Sequence, residues 1–477
     1  MSDFHPASPP LLAPANTKLD RDSIGAAIEL TGLRTDGVET LTITGRDPIF
    51  DAALCLGEGA AVALAMTGLA ANRLWVARGF PPQRLEIDVR HAAASLLSFA
   101  FLSLDGAELE PFAAPVLTDL FPCQQDRWIH LHGGFDQGRG TLEFLGLKPG
   151  ADKVEISAAT RHHNAFALES ALAAHGLCGA VVRSATEWAT SAQGLCLAAQ
   201  PVVQVTRIGD ASPEQPRAGA RPLSGTRVLD LTRVLAGPTC ARTLAEHGAE
   251  VLHLACPRLP TIERFEIDTG HGKRQAYLDL DKPPHSEQLR RLIQSCDVFS
   301  QGFRPGALQR RGFGPEEVAK IRPGIIYISE SCFGTGGPLG SRPGWEQLAQ
   351  AATGIAMAHG GLTPALIPAA FNDYTTGYLA AAGAMEALHR RSIEGGSWHV
   401  EVSLCRTSMW YQQLQPPVSH HAASGFGDLE SMMTHRMTAY GPMRFLAPAL
   451  RMSETSPYYE LPASPLGSGD ACWLPTP

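Results

Sequence analysis

Arg227-Val-Leu-Asp-Leu-Thr-Arg233 is a short β-type run that leads through Ala236-Gly237-Pro238 into Thr239-Cys-Ala-Arg-Thr-Leu-Ala-Glu-His247, whose apolar spacing is helical. Gly248 stops that helix, and Glu250-Val-Leu-His-Leu254 reads as the next strand. The stretch is a βαβ unit. The same alternation predicts strands at 275–280, 297–300 and 324–331 and helices at 286–295 and 315–320. Strands alternating with helices give an α/β fold class with a doubly wound, Rossmann-like parallel sheet, joined here to a smaller α/β domain. In such sheets ligands sit beyond the carboxyl ends of the strands. Residues 233–238, the loop Gly302-Phe-Arg-Pro-Gly306 and the turn Phe333-Gly-Thr-Gly-Gly337 therefore share one crevice.

Outward from this unit, the 477 residues are 44% apolar and 18% charged, which excludes disorder and a coiled coil. The length allows two large lobes or three smaller ones. A net charge of -8 without a dense basic stripe argues against a nucleic-acid partner, so any anionic ligand depends on a local pocket. No run reaches the roughly 18–20 consecutive apolar residues that cross a bilayer, and Met1-Ser-Asp-Phe-His-Pro6 has no basic start followed by an apolar segment. The expectation is a cytoplasmic protein with no membrane partner. Ten cysteines without a CxxC pair read as reduced thiols, and no metal site is expected.

A mobile arm is expected over 1–20, a first half over 21–209, and a polar, Pro-containing linker over 210–222. The nucleotide-binding lobe is expected over 223–412 and a tail over 413–477, with Ala423-Ser-Gly-Phe-Gly-Asp428 either a lid or an ordinary loop. Thr67-Gly-Leu-Ala-Ala-Asn-Arg-Leu74 with Leu85-Glu-Ile-Asp-Val-Arg90 also resembles Ala382-Gly-Ala-Met-Glu-Ala-Leu-His389 with His399-Val-Glu-Val-Ser403. Each is a helix, a turn and an alternating strand. Periodicity alone leaves a true repeat and a chance likeness equally open.

Serine-hydrolase, zincin, P-loop and simple dinucleotide signatures are absent. What remains is a set of basic residues at expected loops: Lys273-Arg274, Arg304, Arg310-Arg311 and Arg342. Solvation is the ordinary role of such residues, but Gly302 and Pro305-Gly306 fix a tight loop in which the Arg304 guanidinium can meet a phosphate bidentately. Asp373, in Phe371-Asn-Asp-Tyr-Thr-Thr-Gly377, stands just ahead of an expected helix over 378–389. It reads first as a cap or first-turn residue, and that role is compatible with a carboxylate nucleophile that has room beside it.

The order of these pieces is that of a known family. Val228-Leu-Asp-Leu-Thr-Arg-Val-Leu-Ala-Gly-Pro238, Gly248-Ala-Glu-Val251, Lys273-Arg274 before Leu278-Asp279-Leu280, Asp297-Val298 before Gly302-Phe-Arg-Pro-Gly-Ala-Leu308, Pro343-Gly-Trp-Glu346 and Asn372-Asp373 resemble the family III CoA-transferases. This is the formyl-CoA transferase and carnitine CoA-transferase (CaiB/BaiF) family. The likeness runs from about Leu223 to Trp410, and Arg451-Met-Ser-Glu-Thr455 with Pro465-Leu-Gly467 resembles the family's tail.

The resemblance implies that Asp373 is the catalytic residue. Its carboxylate attacks an acyl-CoA thioester to give an aspartyl mixed anhydride, CoA returns to form an aspartyl-CoA thioester, and a carboxylic acid takes over the CoA. Also implied is a CoA site of Leu235, Ala236, Lys273, Arg274, Leu278, Asp279, Gly302, Phe303, Arg304, Arg310, Arg342, Trp345 and Glu346, with CoA or acyl-CoA as substrate and no tightly bound cofactor. Arg304 and Arg310 would neutralise phosphates, and Trp345 would stack on the adenine or the pantetheine arm. Two other readings are an acyl-CoA racemase or isomerase of the same superfamily, which uses a His-Asp pair near the Pro343-Gly-Trp-Glu346 block, and an inactive CoA-binding protein.

This chain departs from the family at three points: His253-Leu-Ala255 replaces a Lys-Val-Glu, Trp345 a Tyr, and Gly302 an Asn. The larger departure is in domain order. Only 411–440 fills the place of the family's small domain, while Asp126-Arg-Trp-Ile-His-Leu-His132 and Leu172-Ala-Ala-His-Gly-Leu-Cys-Gly-Ala-Val-Val-Arg-Ser184 resemble that domain ahead of the nucleotide lobe. The chain is thus read as a trimmed tandem fusion, with Glu58 the loose counterpart of Asp373. It would act as a pseudo-dimeric monomer or a homodimer whose first half completes the site.

Overall fold

The computed structural model describes residues 18–109, 114–135, 137–414 and 423–475. Most of the expected arm, 1–17, and part of the expected tail lie outside the described residues.

The first half opens with α1 (Arg21–Glu29), whose Asp20 cap accepts from Ser23 N, and continues through β1 (Leu41–Thr44), α2 (Leu56–Ala77), β2 (Leu85–Asp88) and α3 (Val89–Ser95). The hairpin β3 (Ser103–Leu104) and β4 (Ala107–Glu108) follows. Next comes a small antiparallel sheet, β5 (Asp119–Pro122), β6 (Trp128–Leu131) and β7 (Gly179–Val181), with α4 (Gln137–Phe144), α5 (Lys153–Thr160) and α6 (Ala165–Ala174) inserted before β7. α7 (Ala185–Thr190), α8 (Ala192–Ala198) and β8 (Gln204–Gly209) close the half.

The second half runs β9 (Arg227–Asp230), α9 (Ala236–Glu246), β10 (Glu250–Ala255), α10 (Glu263–Thr269), β11 (Lys273–Tyr277), α11 (Pro283–Ile293), β12 (Val298–Gln301), α12 (Pro315–Ile321) and β13 (Ile326–Ser331). Two short helices, α13 (Glu346–Thr353) and α14 (Ile355–Gly360), precede α15 (Phe371–Glu394), β14 (Ser397–Ser403) and α16 (Leu404–Gln413). β15 (Met433–Thr438), β16 (Gly441–Leu446) and β17 (Leu450–Met452) end it.

The expected parallel sheet is present, with order β11-β10-β9-β12-β13-β14-β8. The first six strands are parallel and β8 is antiparallel to β14. The order in which strands are added reverses between β9 and β12, which is the switch point where such sheets open a crevice. Helix α15 begins at Phe371, well before the expected 378. Asn372 to Gly377 are poor helix formers by propensity, yet this turn is packed against α9 and α13, and tertiary packing overrides propensity.

Helix α2 corrects the expectation about apolar runs. It is long and apolar enough to cross a membrane, which Glu58, Asn72 and Arg73 disguise in the sequence. Buried almost all round, it is the core helix of the first half and packs along α15. Tyr411 OH joins the two helix starts, to Thr375 Oγ1 at 2.7 Å and Leu56 O at 3.5 Å, and Arg73 reaches Glu386 at 3.2 Å near the other end. The two helices therefore run in the same direction.

The repeated segments occupy equivalent places. β1-α2-β2-α3 follows the same order as β13-α15-β14-α16, with β1 parallel to β2 as β13 is to β14. The antiparallel neighbour is exchanged: β2 takes β17 from the second half and β14 takes β8 from the first. The hairpins β3-β4 and β15-β16 likewise join into one four-stranded sheet through β16 and β3. The expected linker, 210–222, has no regular strand or helix but is tied down. Glu214 pairs with Arg322 at 2.7 Å, Arg217 with Asp297 at 3.2 Å, and Arg78 donates to Pro222 O at 3.0 Å.

Candidate active site

Asp373 is the third residue of α15, inside the helix rather than ahead of it, so its carboxyl stands at the positive end of the helix dipole. It is half-buried at the crevice, and desolvation nevertheless pushes its carboxyl up to about 7. The close seating of α15 depends on Gly377, since a Cβ there would collide with Ala236 O and meet Thr239 of α9.

Two further carboxyls face it. Glu346, first residue of α13, accepts from Gln350 Nε2 at 2.9 Å and from Asn372 Nδ2 at 3.3 Å, while Ser408 Oγ donates to Asn372 Oδ1 at 2.9 Å. Glu330 lies on β13 with Oε1 buried and unpartnered. Burial first, and then the neighbouring charge of Asp373, holds the Glu346 carboxyl well above the ordinary range; Glu330 is raised by burial, Asp230 and Asp373. Both neighbours thus hold their protons more firmly than an ordinary carboxyl, beside an Asp373 carboxyl at about 7.

The sequence-predicted residues divide in three. Leu235 caps α9 from the core and Ala236 opens that helix; Gly302, Phe303 and the exposed Arg304 form the loop after β12; Trp345 and Glu346 open α13; and these sit with Asp373 around the ends of β9, β12 and β13. Arg310 is exposed at the end of the same loop, close to Gly306. Leu278 and Asp279 follow β11, where Arg258 binds the Asp279 carboxylate at 2.7 Å and holds it below the usual carboxylate range.

Three basic residues are engaged elsewhere. Lys273 is almost fully buried, with Nζ 2.8 Å from Asp230 Oδ2 and donating to Pro238 O at 2.8 Å, so its charge is neutralised inside the lobe. Arg274 points the other way along β11, to Cys472 O at 2.7 Å and Glu250 at 3.7 Å. Arg342 reaches Glu169 of the first half at 3.5 Å. Spacing cannot reveal these partners, because they lie up to some 200 residues away in the chain.

The first half walls the site, and sequence reasoning did not name the residues that do so. His132 stacks on Trp345 with ring centroids 4.9 Å apart, and Phe135 leans on the same ring at 5.5 Å. Burial lowers the His132 imidazole to about 4, so it is neutral. Arg304 Nη2 donates to Gly176 O at 3.1 Å. Gln193 straps the glycine turn: its Nε2 donates to Phe333 O at 2.7 Å and Gly336 O at 2.8 Å, and its Oε1 accepts from Leu339 N at 2.7 Å. The 423–428 loop lies instead against the first half, with Ser424 N donating to Pro48 O at 3.0 Å and Phe426 edge-on to Phe50 at 5.4 Å.

Glu58 is the third residue of α2, as Asp373 is of α15, but its surroundings differ. Its Oε1 accepts from Asp47 N at 3.2 Å and lies 3.7 Å from Arg46. Among the described residues no group of three or more His, Cys, Asp or Glu side chains could hold a metal ion.

Fold and site together define a doubly wound α/β lobe that presents an ionisable carboxyl at its switch-point crevice. Residues 223–445, this lobe and the segment after it, match CoA-transferase family III. An acetyl-coenzyme A transferase of Hypoxylon pulicicidum is 31% identical over 382 residues, 70% of this chain and 64% of that protein. A formyl-CoA:oxalate CoA-transferase of Afipia carboxidovorans is 35% identical over 232 residues, 44% of this chain and 54% of that one. A solved structure of a CaiB/BaiF family protein from Brucella suis is similar at 25% identity and a TM-score of 0.38, covering 47% of this chain and 65% of that one. The chain spans between about half and two thirds of the length of these relatives.

Proposed function

We propose that the protein is a CoA-transferase that moves CoA from an acyl-CoA thioester to a carboxylic acid, with Asp373 as nucleophile. The observation that carries this reading is a carboxyl at the crevice that ionises near pH 7 amid acids that stay protonated. At neutral pH it is available both as a carboxylate and next to proton donors, and its adducts with acyl and thiolate partners remain reactive. Arg304 and Arg310 would meet the phosphates of CoA, Trp345 its adenine or pantetheine arm, and Leu235, Ala236 and 302–303 the remainder. CoA and acyl-CoA act as substrates, with no tightly bound cofactor.

The first half is read as a degenerate unit, supported by the matched order of β1-α2-β2-α3 and the exchanged β8 and β17. One active site per chain follows, in a pseudo-dimeric monomer or a homodimer. The free thiols of all ten cysteines agree with a reducing, cytoplasmic setting.

The test is incubation with acetyl-CoA or formyl-CoA and candidate acids such as oxalate, followed by mass spectrometry of the Asp373 peptide. The expected results are an acyl or CoA adduct on Asp373 and no transfer by Asp373→Ala. Full transfer by that variant refutes the mechanism. Because His132 brings an imidazole against Trp345 beside Glu346, α-proton exchange is followed in the same samples. Exchange without CoA transfer would favour the racemase reading.

A further inference from the structure

We infer that Glu330 is a second reacting group of this site, the acid that holds the proton for the CoA sulfur; the inference rests on the CoA-transfer reading above. Along β13, Ile326 and Ile328 belong to the core shared with α9 and α15, whereas Tyr327 belongs to the core on the opposite face. Strand alternation places Glu330 on the α9 and α15 face, one step beyond two isoleucines. An acid is out of place there unless it has a task.

The side chain is more than nine-tenths buried, and Oε1 has no hydrogen-bond partner. A buried polar atom left unpaired is a standing cost to stability. Oε2 faces two glycines: a Cβ on Gly237 would collide with it, and one on Gly302 would stand 3.6 Å away. Gly237 lies in the first turn of α9 and Gly302 in the loop after β12, on the two sides of the switch point where CoA is proposed to bind. Burial and the charges of Asp230 and Asp373 keep the acid protonated, so it has a proton to give.

The chemistry balances without another reactant. As the Asp373 carboxylate attacks the thioester carbonyl, a C–O bond forms, the C–S bond breaks, and its electron pair goes to sulfur. Glu330 O–H passes its proton to that sulfur, leaving a thiol and a Glu330 carboxylate. The carboxylate takes the proton back as sulfur attacks the aspartyl carbonyl, and the donor acid leaves as its carboxylate. When the acceptor carboxylate attacks the aspartyl thioester, the proton moves to sulfur again; it returns to Glu330 as sulfur attacks the acceptor carbonyl and Asp373 is released.

The experiment compares full-length wild type, Glu330→Gln and Glu330→Leu in two readouts. In steady-state CoA exchange, Glu330→Leu should lower kcat by about 10²–10³-fold, the usual effect of removing one donor from a developing anion, with little change in KM for acyl-CoA. Glu330→Gln, which keeps a donor but has no proton to transfer, should fall between. In the second readout, free CoA is bound to each protein and the ultraviolet absorbance of its thiolate is followed with pH. Loss of the donor should move thiolate formation up by about one pH unit in Glu330→Leu.

Wild-type kcat together with an unshifted thiolate titration in Glu330→Leu overturns the inference. If Glu330→Leu does not fold, the near-isosteric Glu330→Gln carries the test: wild-type kcat in that variant overturns it equally. Absence of CoA exchange in the wild type refutes the transferase reading, whereas the thiolate titration still decides for or against Glu330.

Discussion

Replacing Asp373 by Asn should make the protein more stable, and more so as the pH rises. In the folded chain its carboxyl is raised by burial from an ordinary 3.8 to about 7. A difference of that size makes ionisation about 4 kcal/mol harder in the folded protein than in the unfolded chain. Because the folded value is the higher one, the folded state binds the proton more tightly. The wild type therefore carries no penalty below pH 3.8, loses stability as the pH rises from there, and reaches its full deficit above about 7. Asn carries no charge at any pH. Urea denaturation at pH 4 should give nearly equal stabilities, and at pH 8 Asp373→Asn should be ahead by up to about 4 kcal/mol. Burial, the largest cause of the raised Glu330 and Glu346 carboxyls, is common to both proteins, so most of their contribution cancels in the comparison. The same ionisation should appear in catalysis as a kcat/KM that climbs through about pH 7, because only the carboxylate is a nucleophile. An advantage for Asn that is independent of pH, or a wild type more stable at pH 8, would refute desolvation as the source of the raised carboxyl.

Arg242→Met should cost about 3–5 kcal/mol in urea denaturation, since it leaves the buried Asp268, 2.8 Å away, without its counter-charge. Asp268 also accepts from Ser98 Oγ and Tyr374 OH at 2.8 Å each, so the loss should loosen the contact between the halves. Gly354→Ala should lower stability by at least about 1–2 kcal/mol, because φ is 92° at that position and a Cβ would run into the Ser184–Ala185 backbone of the first half; thermal unfolding reads the effect. Trp345→Ala should raise KM for acyl-CoA by about 2- to 10-fold, the equivalent of one lost aromatic stack, in steady-state assays. Residues 223–477 produced alone should be aggregated or inactive, because β14 loses its β8 neighbour and α15 its packing against α2; a monomeric, fully active fragment would contradict this.

The alternation from Arg227 to Ser331 made the parallel sheet legible, because each strand and helix there is short, apolar on a regular period and separated by Gly or Pro. The start of α15 was not legible: Asn372 to Gly377 carry no propensity signal, and only contact with α9 makes them helical. Leu235, Ala236, 302–304, Trp345, Glu346 and Asp373 were named by the family likeness, and they lie at the starts of α9, α13 and α15 and in the loop after β12. Lys273 and Arg274 sit in a basic pair that looks like a phosphate site in sequence. Strand alternation sends Lys273 inward to Asp230 and Arg274 to the far face, a division the pleat alone would have suggested. Glu330 was legible in the same way, since Ile326, Ile328 and Glu330 share a face, but an acid near a strand end passes for an ordinary exposed terminus. His132, Phe135 and Gln193 carried no signal, because their partners are more than 130 residues away and belong to the other half.

The surroundings of the two helix starts differ in a way that leaves only one of them a candidate site. Asp373 and Glu58 hold the same position on parallel core helices, so fold and dipole are common to both. At α2 the first backbone N–H groups are already engaged: Asp47 accepts from Gly57 N at 3.2 Å and Glu58 N at 2.8 Å. The 423–428 loop then covers Pro48 and Ile49. An incoming carboxylate or thioester oxygen would have to displace a carboxylate built into the chain. At α15 no side chain caps the helix. The start of α2 is thus a structural joint, while His132, Phe135 and Gln193 of the same half pack against the second. That division makes the exchanged β8 and β17 necessary, because a wall that belongs to one half and a nucleophile that belongs to the other stay in register only if the halves cannot separate.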